Sequence, residues 1–581
     1  MSGHRLWAIS SLMAVVAVSL LGCQGFIWEH EKPQKVDLGI APERDTGRTS
    51  VALRDTIGSV AYFQGMGPLR VRGYGLVVGL GKNGSRDCPK HIYNGLVQSM
   101  YQQYSFSASE VGVESITPEA LIDGIDSAVV AVYAAIPAAA VRGVPIDVVV
   151  RALSGTQTKS LVGGRLFPMD LEVFSASEGR RSITGRSLAR AAGPVFVNPF
   201  SGGESATKSN PREGMILGGA RVTRNRDICL VLIRPSYGLA RRIQDRINAH
   251  FPGSGRIADA TSPSFIKLTI PEEYRRHSGH FLSLVRHLYH TRNPGLDAVR
   301  TKKLSQEILH PDAPHADIAL CFEGLGRTAL PMLTDLYGHT KGFVSFCAGV
   351  AGLRLGDHLA SDVVAAHAAN PASQYRFRAI TALCEARGMA GAAAALRGLL
   401  NDPDPRVQIA AYEALVLRGD PIIDSVPIGK GNFVLTRVPS SKSNLIYAKR
   451  STTRRIALFG DALHCTPPLF YAAPDHSITI NAREDDETMT VVRRVTSTGR
   501  TSPAIPVSYD LASLIKLLGG TAEVDGNDEM LGLGLDYGAV VRALYHLCND
   551  RSINAKFILE QPNVADLLGP SRPVGRKESE L

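Results

Sequence analysis

Four histidines between positions 277 and 290 have the type and spacing that could bind a metal ion. His277 and His280 form one H-x-x-H pair, and His287 and His290 form a second. On a helix the four imidazoles would fall along one broad side, and imidazole is a common zinc ligand. No carboxylate stands among them, and a solvent-exposed helix face explains the same pattern. We therefore expect no metal and no cofactor at this segment.

His464 and Cys465 are the other pair that could do chemistry, as a base beside a nucleophile. A catalytic pair needs a third group that orients the base, and none is evident near this isolated pair. The sequence also lacks a G-x-S-x-G elbow, an H-E-x-x-H helix and the protein-kinase motifs. These observations predict a protein that is not an enzyme.

The stretch VRGYGLVVGLGKNG, residues 71–84, places five glycines among apolar residues and invites comparison with a phosphate-binding loop. A dinucleotide fingerprint needs G-x-G-x-x-G, whereas Gly73, Gly75 and Gly79 enclose Leu-Val-Val, which favours a strand. A Walker loop is excluded because Leu76 stands at the first glycine position and Asn83 replaces the magnesium-binding Ser or Thr. We expect a short buried strand, 76–80, whose glycines allow turns or the close approach of a neighbouring backbone.

Cys23 is a candidate for lipidation. An apolar run from Leu6 to Leu21 follows the basic Arg5 and is shorter than the ~20 residues of a membrane span. It ends in Leu-Leu-Gly-Cys, which resembles a bacterial lipobox, and acylation of Cys23 would tether the chain to a bilayer. The alternative is an ordinary secretory signal. In both cases the mature chain is exported, and we expect a signal peptide with lipobox at 1–23 and a polar linker at 24–50.

The composition indicates several hydrophobic cores and a mild affinity for anions. The chain has 581 residues, 44% of them hydrophobic, and a formal net charge of +10. This charge suits anionic surfaces such as cell-wall polymer or lipid headgroups, but no long basic run favours nucleic acid as a partner. Seven further cysteines lack C-x-x-C spacing, and three of them lie in apolar helical patterns that suggest burial.

Residues 51–275 alternate between strand and helix patterns and predict a mixed α/β body. Strands are expected at 128–133, 144–151, 228–233 and 265–270, where β-branched residues cluster or alternate. A helix is expected at 91–104. A second should follow Ser236 as N-cap, with an apolar face formed by Leu239, Ala240, Ile243 and Ile247.

The pattern changes at about residue 276. From 276 to 420 strands vanish, and three apolar helices end in similar sequences about 32 residues apart. The turn at 401–405 is similar to the turn between the helices of HEAT repeats, although the period is shorter, so we expect a HEAT-like α-solenoid; the alternative is a plain helical bundle. Residues 421–565 return to β-rich patterning, and 566–581 are expected to form a disordered tail.

Four motifs, in order, resemble those of bacterial flagellar P-ring proteins. They are a GYGLVVGL strand within 69–80, paired strands at 128–137 and 143–150, a KSL-x-GG-x-L segment at 158–166, and an A-R-R-I-x-D-x-I-N helix at 240–249. Segments 459–467, 477–480 and 539–544 resemble C-terminal parts of the same family. The helical block has no counterpart in that family, so we expect an α+β fold in which an α-solenoid is inserted into a P-ring-like body. Members of the family usually have a plain signal peptide, and Cys23 departs from this.

The resemblance implies a structural subunit of the flagellar basal body. Copies would associate into a periplasmic ring around the distal rod, beneath the outer-membrane L ring, and act as a bushing. The implied partners are other copies, the rod and the L-ring protein, with peptidoglycan as a further candidate. A lipid on Cys23 would anchor the chain at the outer membrane.

Three further hypotheses remain open at this stage, one of them that the chain is a peptidoglycan-binding enzyme. The chain could instead be a lipid-anchored periplasmic adaptor that uses its helical repeats to bind an envelope protein. Separately, the basic residues between Gly179 and Arg226 could contact anionic wall polymer, or could form only a solvated loop.

Overall fold

The computed structural model describes residues 50, 53–111, 117–173, 187–198, 210–275, 277–440, 442, 444–450, 453–461, 463–473, 476–494, 501–522 and 532–560. Strands and helices are mixed at both ends of this range, and helices alone fill its middle. The predicted α+β class is therefore confirmed. Within the described residues, no helix has the length and apolar content needed to cross a membrane.

The first part of the chain contains a barrel and a smaller sheet. Its described helices are α1 (Ile57–Val60), α2 (Lys90–Val111), α3 (Pro118–Ile122) and α4 (Tyr237–His250). Its described strands are β1 (Ala61–Gln64), β2 (Leu69–Val78), β3 (Ser127–Ile136), β4 (Pro145–Ala152), β5 (Arg165–Val173), β6 (Ala189–Pro194), β7 (Glu213–Val222), β8 (Ile228–Leu232), β9 (Ala258–Ala260) and β10 (Phe265–Leu268).

Six antiparallel strands close into a barrel in the order β2-β3-β4-β7-β6-β5. Alternate residues of these strands, such as Val130 and Val132 on β3, fill its interior. On the outside, α2 covers Leu76 and Val78 of β2. The strand predicted at 76–80 is thus the end of a longer strand whose glycines lie within the barrel wall.

The remaining strands of this part form a four-stranded sheet in the order β1-β8-β10-β9. Helix α4 packs on one face of this sheet through Ala240, Ile243 and Ile247, as the sequence predicts. Its N-terminus is capped by Ser236, whose Oγ accepts a hydrogen bond from the Leu239 amide at 3.3 Å. This capping is also as predicted.

The middle of the chain is a two-layered stack of helices. Its helices are α5 (Ser278–His287), α6 (Pro294–Glu307), α7 (His315–Leu325), α8 (Leu330–Tyr337), α9 (Gly342–Arg354), α10 (His358–Ala369), α11 (Arg376–Glu385), α12 (Ala390–Gly398) and α13 (Pro405–Arg418). Helices α5, α7, α9, α11 and α13 pack side by side as an inner layer, and α6, α8, α10 and α12 form the outer layer. The stack begins inside the first part of the chain, because α5 also packs Phe281, Leu284 and Val285 into the core of the four-stranded sheet.

In the described residues after 420, two sheets and two helices follow. They are β11 (Asp424–Ile428), β12 (Phe433–Val438), β13 (Leu445–Lys449), β14 (Arg455–Phe459), β15 (Leu469–Ala472), β16 (Ile478–Ala482), β17 (Met489–Arg493), β18 (Ile505–Val507), α14 (Leu511–Gly519), α15 (Tyr537–Asn549) and β19 (Lys556–Leu559). The sheets have the orders β11-β12-β14-β13-β19 and β15-β16-β17-β18.

The five-stranded sheet joins the helical stack to the C-terminal helices. Tyr447 and Phe459 on one face pack with Tyr412 of α13, whose hydroxyl lies 2.7 Å from Thr436 Oγ1. Ile446 and Leu458 on the other face share a core with α14 and α15. The central strands β13 and β14 are therefore buried on both faces, which explains their nearly continuous apolar sequences, LIYAK and RIALF.

Candidate functional site

The four histidines do not converge on a common point. His280 Nε2 lies 2.8 Å from Glu323 Oε1, and His287 Nε2 lies 3.2 Å from Asp317 Oδ1. Among the described residues, no group of three or more His, Cys, Asp or Glu side chains is placed to hold a metal. Three of the four, His277, His280 and His287, instead contact carboxylates of other helices.

The interpretation of this segment as a solvent-exposed helix face is wrong for two of the four histidines. The side chains of His280 and His287 are only 12% and 10% exposed. Neighbouring helices supply the carboxylates that the segment itself lacks. His277 at the start of α5 is paired as well, with Nδ1 3.8 Å from Glu385 Oε1. Sequence spacing could not reveal these partners, because they stand some 30 to 110 residues further along the chain.

His280, Glu323, Arg354, Glu385 and Arg418 form a row across all five inner helices, which we term the charge ladder. Arg354 Nη2 donates to Glu385 Oε2 at 2.8 Å, and Arg354 Nη1 lies 3.6 Å from Glu323 Oε2. Arg418 Nη1 donates to the carbonyls of Leu383 and Ala386 at 2.8 and 2.7 Å. Each member therefore binds the helix before or after its own, and the acidic and basic groups alternate.

A repeated helix end positions the ladder. Gly326, Gly356, Gly388 and Gly419 have φ values of 80°, 85°, 80° and 69°, and each follows one inner helix within three residues. Only glycine adopts a positive φ without strain, so a glycine ends each of these four inner helices shortly after its ladder residue. The sequence pattern identifies the last three of these ends. Gly326 marks a fourth, which sequence reasoning missed although Phe322-Glu-Gly-Leu-Gly326 carries the same signal.

Two glycines of the 71–84 stretch, Gly73 and Gly75, shape the barrel wall. A Cβ atom at Gly73 would lie 2.4 Å from Met169 Cε and 2.8 Å from the Asp170 carbonyl oxygen. A Cβ atom at Gly75 would lie 2.4 Å from Met169 Sδ. The two glycines thus leave room for the Met169 side chain and for β5. This agrees with the expectation that glycines of this stretch allow the close approach of a neighbouring backbone.

The other motifs shared with P-ring proteins pack against the same framework. In the 158–166 segment, Leu161 is fully buried, and a Cβ atom at Gly164 would lie 2.4 Å from Val77 Cγ1. In the 240–249 helix, Asn248 Oδ1 accepts hydrogen bonds from the Ile257 and Ala258 amides at 3.0 and 2.9 Å. These motif residues hold the body together and present no reactive group.

Apart from Arg190 and Arg224, the basic side chains between Gly179 and Arg226 fall into two groups. Arg180, Arg181, Arg186 and Lys208 lie outside the described residues. Three others bind backbone carbonyls: Arg212 donates to Leu153 at 2.7 Å, Arg221 to Gly143 at 3.2 Å, and Arg226 to Ile136 at 3.0 Å. These three guanidinium groups therefore brace the barrel.

The remaining candidate residues are cysteines. Cys23 lies outside the described residues. Cys321, Cys347 and Cys384 are buried in helices of the stack, as the apolar patterns suggest. Cys465 is also buried, and burial raises the pKa of its thiol to about 12, which makes the His464–Cys465 pair unsuited to nucleophilic chemistry.

The fold defines the class of the protein: an α+β chain in which a barrel and a sheet are joined to stacked helical repeats. A family profile described as "Flagellar P-ring protein" matches residues 56–294, and one described as "HEAT repeats" matches residues 361–425. The first match covers the barrel, the four-stranded sheet and α5. The second covers α11 to α13 and confirms the predicted HEAT-like repeats.

Comparison with individual relatives also indicates the P-ring family. The flagellar P-ring protein of Thermotoga maritima is 30% identical over 250 residues, which cover 41% of this chain and 67% of the relative. That of Syntrophotalea carbinolica is 31% identical over 238 residues, 39% of this chain and 59% of the relative. That of Geotalea uraniireducens is 29% identical over 309 residues, 50% of this chain and 77% of the relative. The chain belongs to the flagellar P-ring protein family, and the matched part spans between 59% and 77% of the length of these relatives.

Proposed function

We propose that the chain is a structural subunit of the flagellar P ring, a part of the basal body that serves motility, and that it is not an enzyme. The observation that supports this proposal is the P-ring profile match over 56–294, which coincides with two intact cores, the barrel and the four-stranded sheet. The part shared with the family is therefore a complete folded body.

The proposed assembly is a periplasmic ring around the distal rod, beneath the L ring, in which the subunits act as a bushing. A closed ring requires heterologous contacts, in which the front of one subunit binds the back of the next. The proposed partners are further copies, the rod, the L-ring protein and, through exposed basic residues, peptidoglycan. Acylation of Cys23 and the division into 51–275, 276–420 and 421–565, with the last as a second P-ring-like part, belong to the same proposal.

A surface suited to the subunit contact lies within the family-matched segment. Ile233, Tyr237 and Phe265 are 53%, 76% and 43% exposed, and they surround one end of β8 and β10. Large aromatic side chains dominate the energetics of protein interfaces, whereas an isolated subunit gains nothing by exposing them. We assign this surface to contact with a second copy, because it belongs to the part of the chain that ring-forming relatives share.

Electron microscopy of isolated basal bodies tests the assignment. The chain should appear in the periplasmic ring, and deletion of its gene should abolish swimming. The double variant Tyr237→Ser/Phe265→Ser should fold normally but assemble fewer rings. Phe470→Ser is the matched control, because Phe470 is 65% exposed but lies outside the family match. Normal swimming without the chain would contradict the proposal.

The helical repeats support a second candidate function, that of an envelope adaptor. Leu359 and Phe377, at the starts of α10 and α11, are 60% and 46% exposed on the stack. Helical-repeat stacks commonly use extended surfaces of this kind to bind other proteins. A diffuse distribution of the chain in the envelope, with intact swimming, would favour the adaptor over the ring subunit.

A further inference from the structure

A recess of about 660 Å³ opens between the end of α15 and the strand β19. Its lining combines three basic side chains, two carboxamides and a small apolar floor: Lys442, Arg551, Lys556, Asn444, Asn554, Ile553, Cys548 and Ala555. This volume is within the range of small-molecule sites. It lies outside the segment matched by the P-ring profile.

The charge of the recess is one-sided. Lys442, Arg551 and Lys556 are exposed, and among the described residues none of the three forms an ion pair. None of the lining residues is Asp or Glu. Three cations that converge without a carboxylate repel one another, and an anion bound among them would relieve that repulsion.

The walls of the recess are fixed by hydrogen bonds. Asn444 Nδ2 donates to the Asn554 carbonyl at 3.1 Å, and the Lys556 amide donates to the Asn444 carbonyl at 3.0 Å. The Ile553 side chain is 2% exposed and anchors the floor. The loop from α15 to β19 is therefore held in place, so its basic side chains project from a rigid frame.

Arg551 adopts a backbone conformation that is uncommon for its residue type. Its φ is 58°, in the left-handed region that favours glycine, at the turn that follows α15. An arginine in this conformation is strained relative to glycine. Glycine would suit this backbone better, yet the position carries a guanidinium. A guanidinium can bind a carboxylate or phosphate with two parallel hydrogen bonds.

We propose that this recess binds a small multivalent anion that carries carboxylate or phosphate groups. Arg551 provides the bidentate contact, Lys442 and Lys556 neutralise the remaining charge, and the carboxamides of Asn444 and Asn554 offer further hydrogen bonds. This site does not depend on ring assembly, since all of its residues belong to one chain.

Calorimetric titration of the purified chain at low ionic strength tests the site, with citrate as the carboxylate probe and tripolyphosphate as the phosphate probe. The stronger of the two identifies the preferred anionic group. Arg551→Gly should weaken binding at least about tenfold, because a charge-assisted bidentate contact is lost. The same change should leave the melting temperature equal or higher because glycine suits the left-handed backbone, so lost binding cannot be attributed to unfolding.

A pair of charge reversals provides the matched control. Lys442→Glu/Lys556→Glu should abolish binding, whereas Lys302→Glu/Lys303→Glu on the exposed face of α6 makes the same change in net charge and should leave binding within about twofold. Equal effects of the two pairs would show a general attraction to a basic protein and would overturn the site. Failure of the unmodified chain to bind either probe would overturn it as well.

Discussion

Removal of the guanidinium of Arg354 is the most direct test of the charge ladder. We predict that Arg354→Met destabilises the helical stack, because methionine keeps most of the volume but leaves two carboxylates without their shared partner. The side chains of Glu323 and Glu385 are only 8% and 15% exposed. Water therefore cannot replace the lost guanidinium.

The expected magnitude follows from this burial. Loss of one partner of a buried ion pair destabilises proteins by about 3 to 5 kcal/mol. Arg354 is itself 20% exposed, and His277 and His280 remain beside the two carboxylates, so we expect a value near the lower limit, about 3 kcal/mol. Arg406→Met is the control: its ion pair with Asp404 involves a side chain that is 78% exposed, and we expect a clearly smaller loss of stability.

Urea unfolding monitored by circular dichroism, together with hydrogen exchange of α7, α9 and α11, provides the assay. Exchange should accelerate in these three helices before the barrel is affected. Adding Glu323→Gln and Glu385→Gln to Arg354→Met should restore much of the loss, since neutral amides need no counter-charge. If Arg354→Met shifts the midpoint no more than Arg406→Met does, the ladder does not stabilise the stack and the reasoning from burial is refuted.

Three further predictions concern the barrel, a buried histidine and the thiols. Gly75→Ala should destabilise the barrel by about 1 to 3 kcal/mol in a melting experiment, and Met169→Val should recover part of this, because the new methyl group would meet Met169 at 2.4 Å. Burial, assisted by Arg246, lowers the pKa of His250 to about 4 from an ordinary 6.5, so the folded state binds fewer protons than the unfolded state between these values. The free energy of unfolding should therefore fall as pH drops from 6.5 towards 4, by about 2 kcal/mol at pH 5. The dependence of this free energy on pH should be shallower in His250→Gln. An equally steep dependence in the variant would contradict the low pKa of His250. Alkylation of the native chain at neutral pH, read by mass spectrometry, should modify the half-buried Cys88 and Cys229 before Cys321, whose pKa burial raises to about 12; early modification of Cys321 would show that the stack opens.

The sequence predicts those features of the fold that depend on neighbouring residues. Ser236 caps a helix whose buried face recurs every three to four residues, so both the start and the orientation of α4 could be inferred. Gly75 of β2 is followed by Leu-Val-Val, which favours a strand, so the stretch could be distinguished from a nucleotide loop. Local chemistry is sufficient in these cases because the interacting groups are close in sequence.

Features that depend on distant residues could not be predicted. From the sequence alone, the histidines of this segment suggest a metal site or a solvent-exposed helix face. Their partners in the structure, Glu323 and Glu385, lie on helices much later in the sequence. The recess is similar, since Lys442 and Arg551 lie far apart in sequence and belong to different elements. The periodicity of the sequence also cannot predict closure of the barrel. Each strand has the same alternation of inward-facing and outward-facing residues in a barrel as in an open sheet.

The position of the repeats between two parts that also touch each other leads to a last prediction. The barrel contacts the C-terminal part directly: the rings of Phe196 and Tyr537 lie 6.1 Å apart. Meanwhile the stack runs from α5, which is shared with the four-stranded sheet, to α13, which is shared with the five-stranded sheet. The repeats are therefore attached to the rest of the protein at both ends. Together with the direct contact between the barrel and the C-terminal part, they complete a closed circuit of contacts.

In an open solenoid the loss of one repeat is tolerated, because each repeat contacts only its neighbours. In this closed circuit, deletion of residues 357–388, one repeat by the spacing of Gly356 and Gly388, should pull Tyr537 away from Phe196. We expect faster hydrogen exchange in α15 and β6, far from the deletion, and a lower unfolding midpoint for the barrel. Phe196→Ala in the full-length chain should also accelerate hydrogen exchange in α15 and β6, without any change in the repeats. If the shortened chain instead loses only its own helices and keeps α15 and β6 protected, the stack is a separable arm, and the adaptor function becomes the better explanation of why this chain contains it.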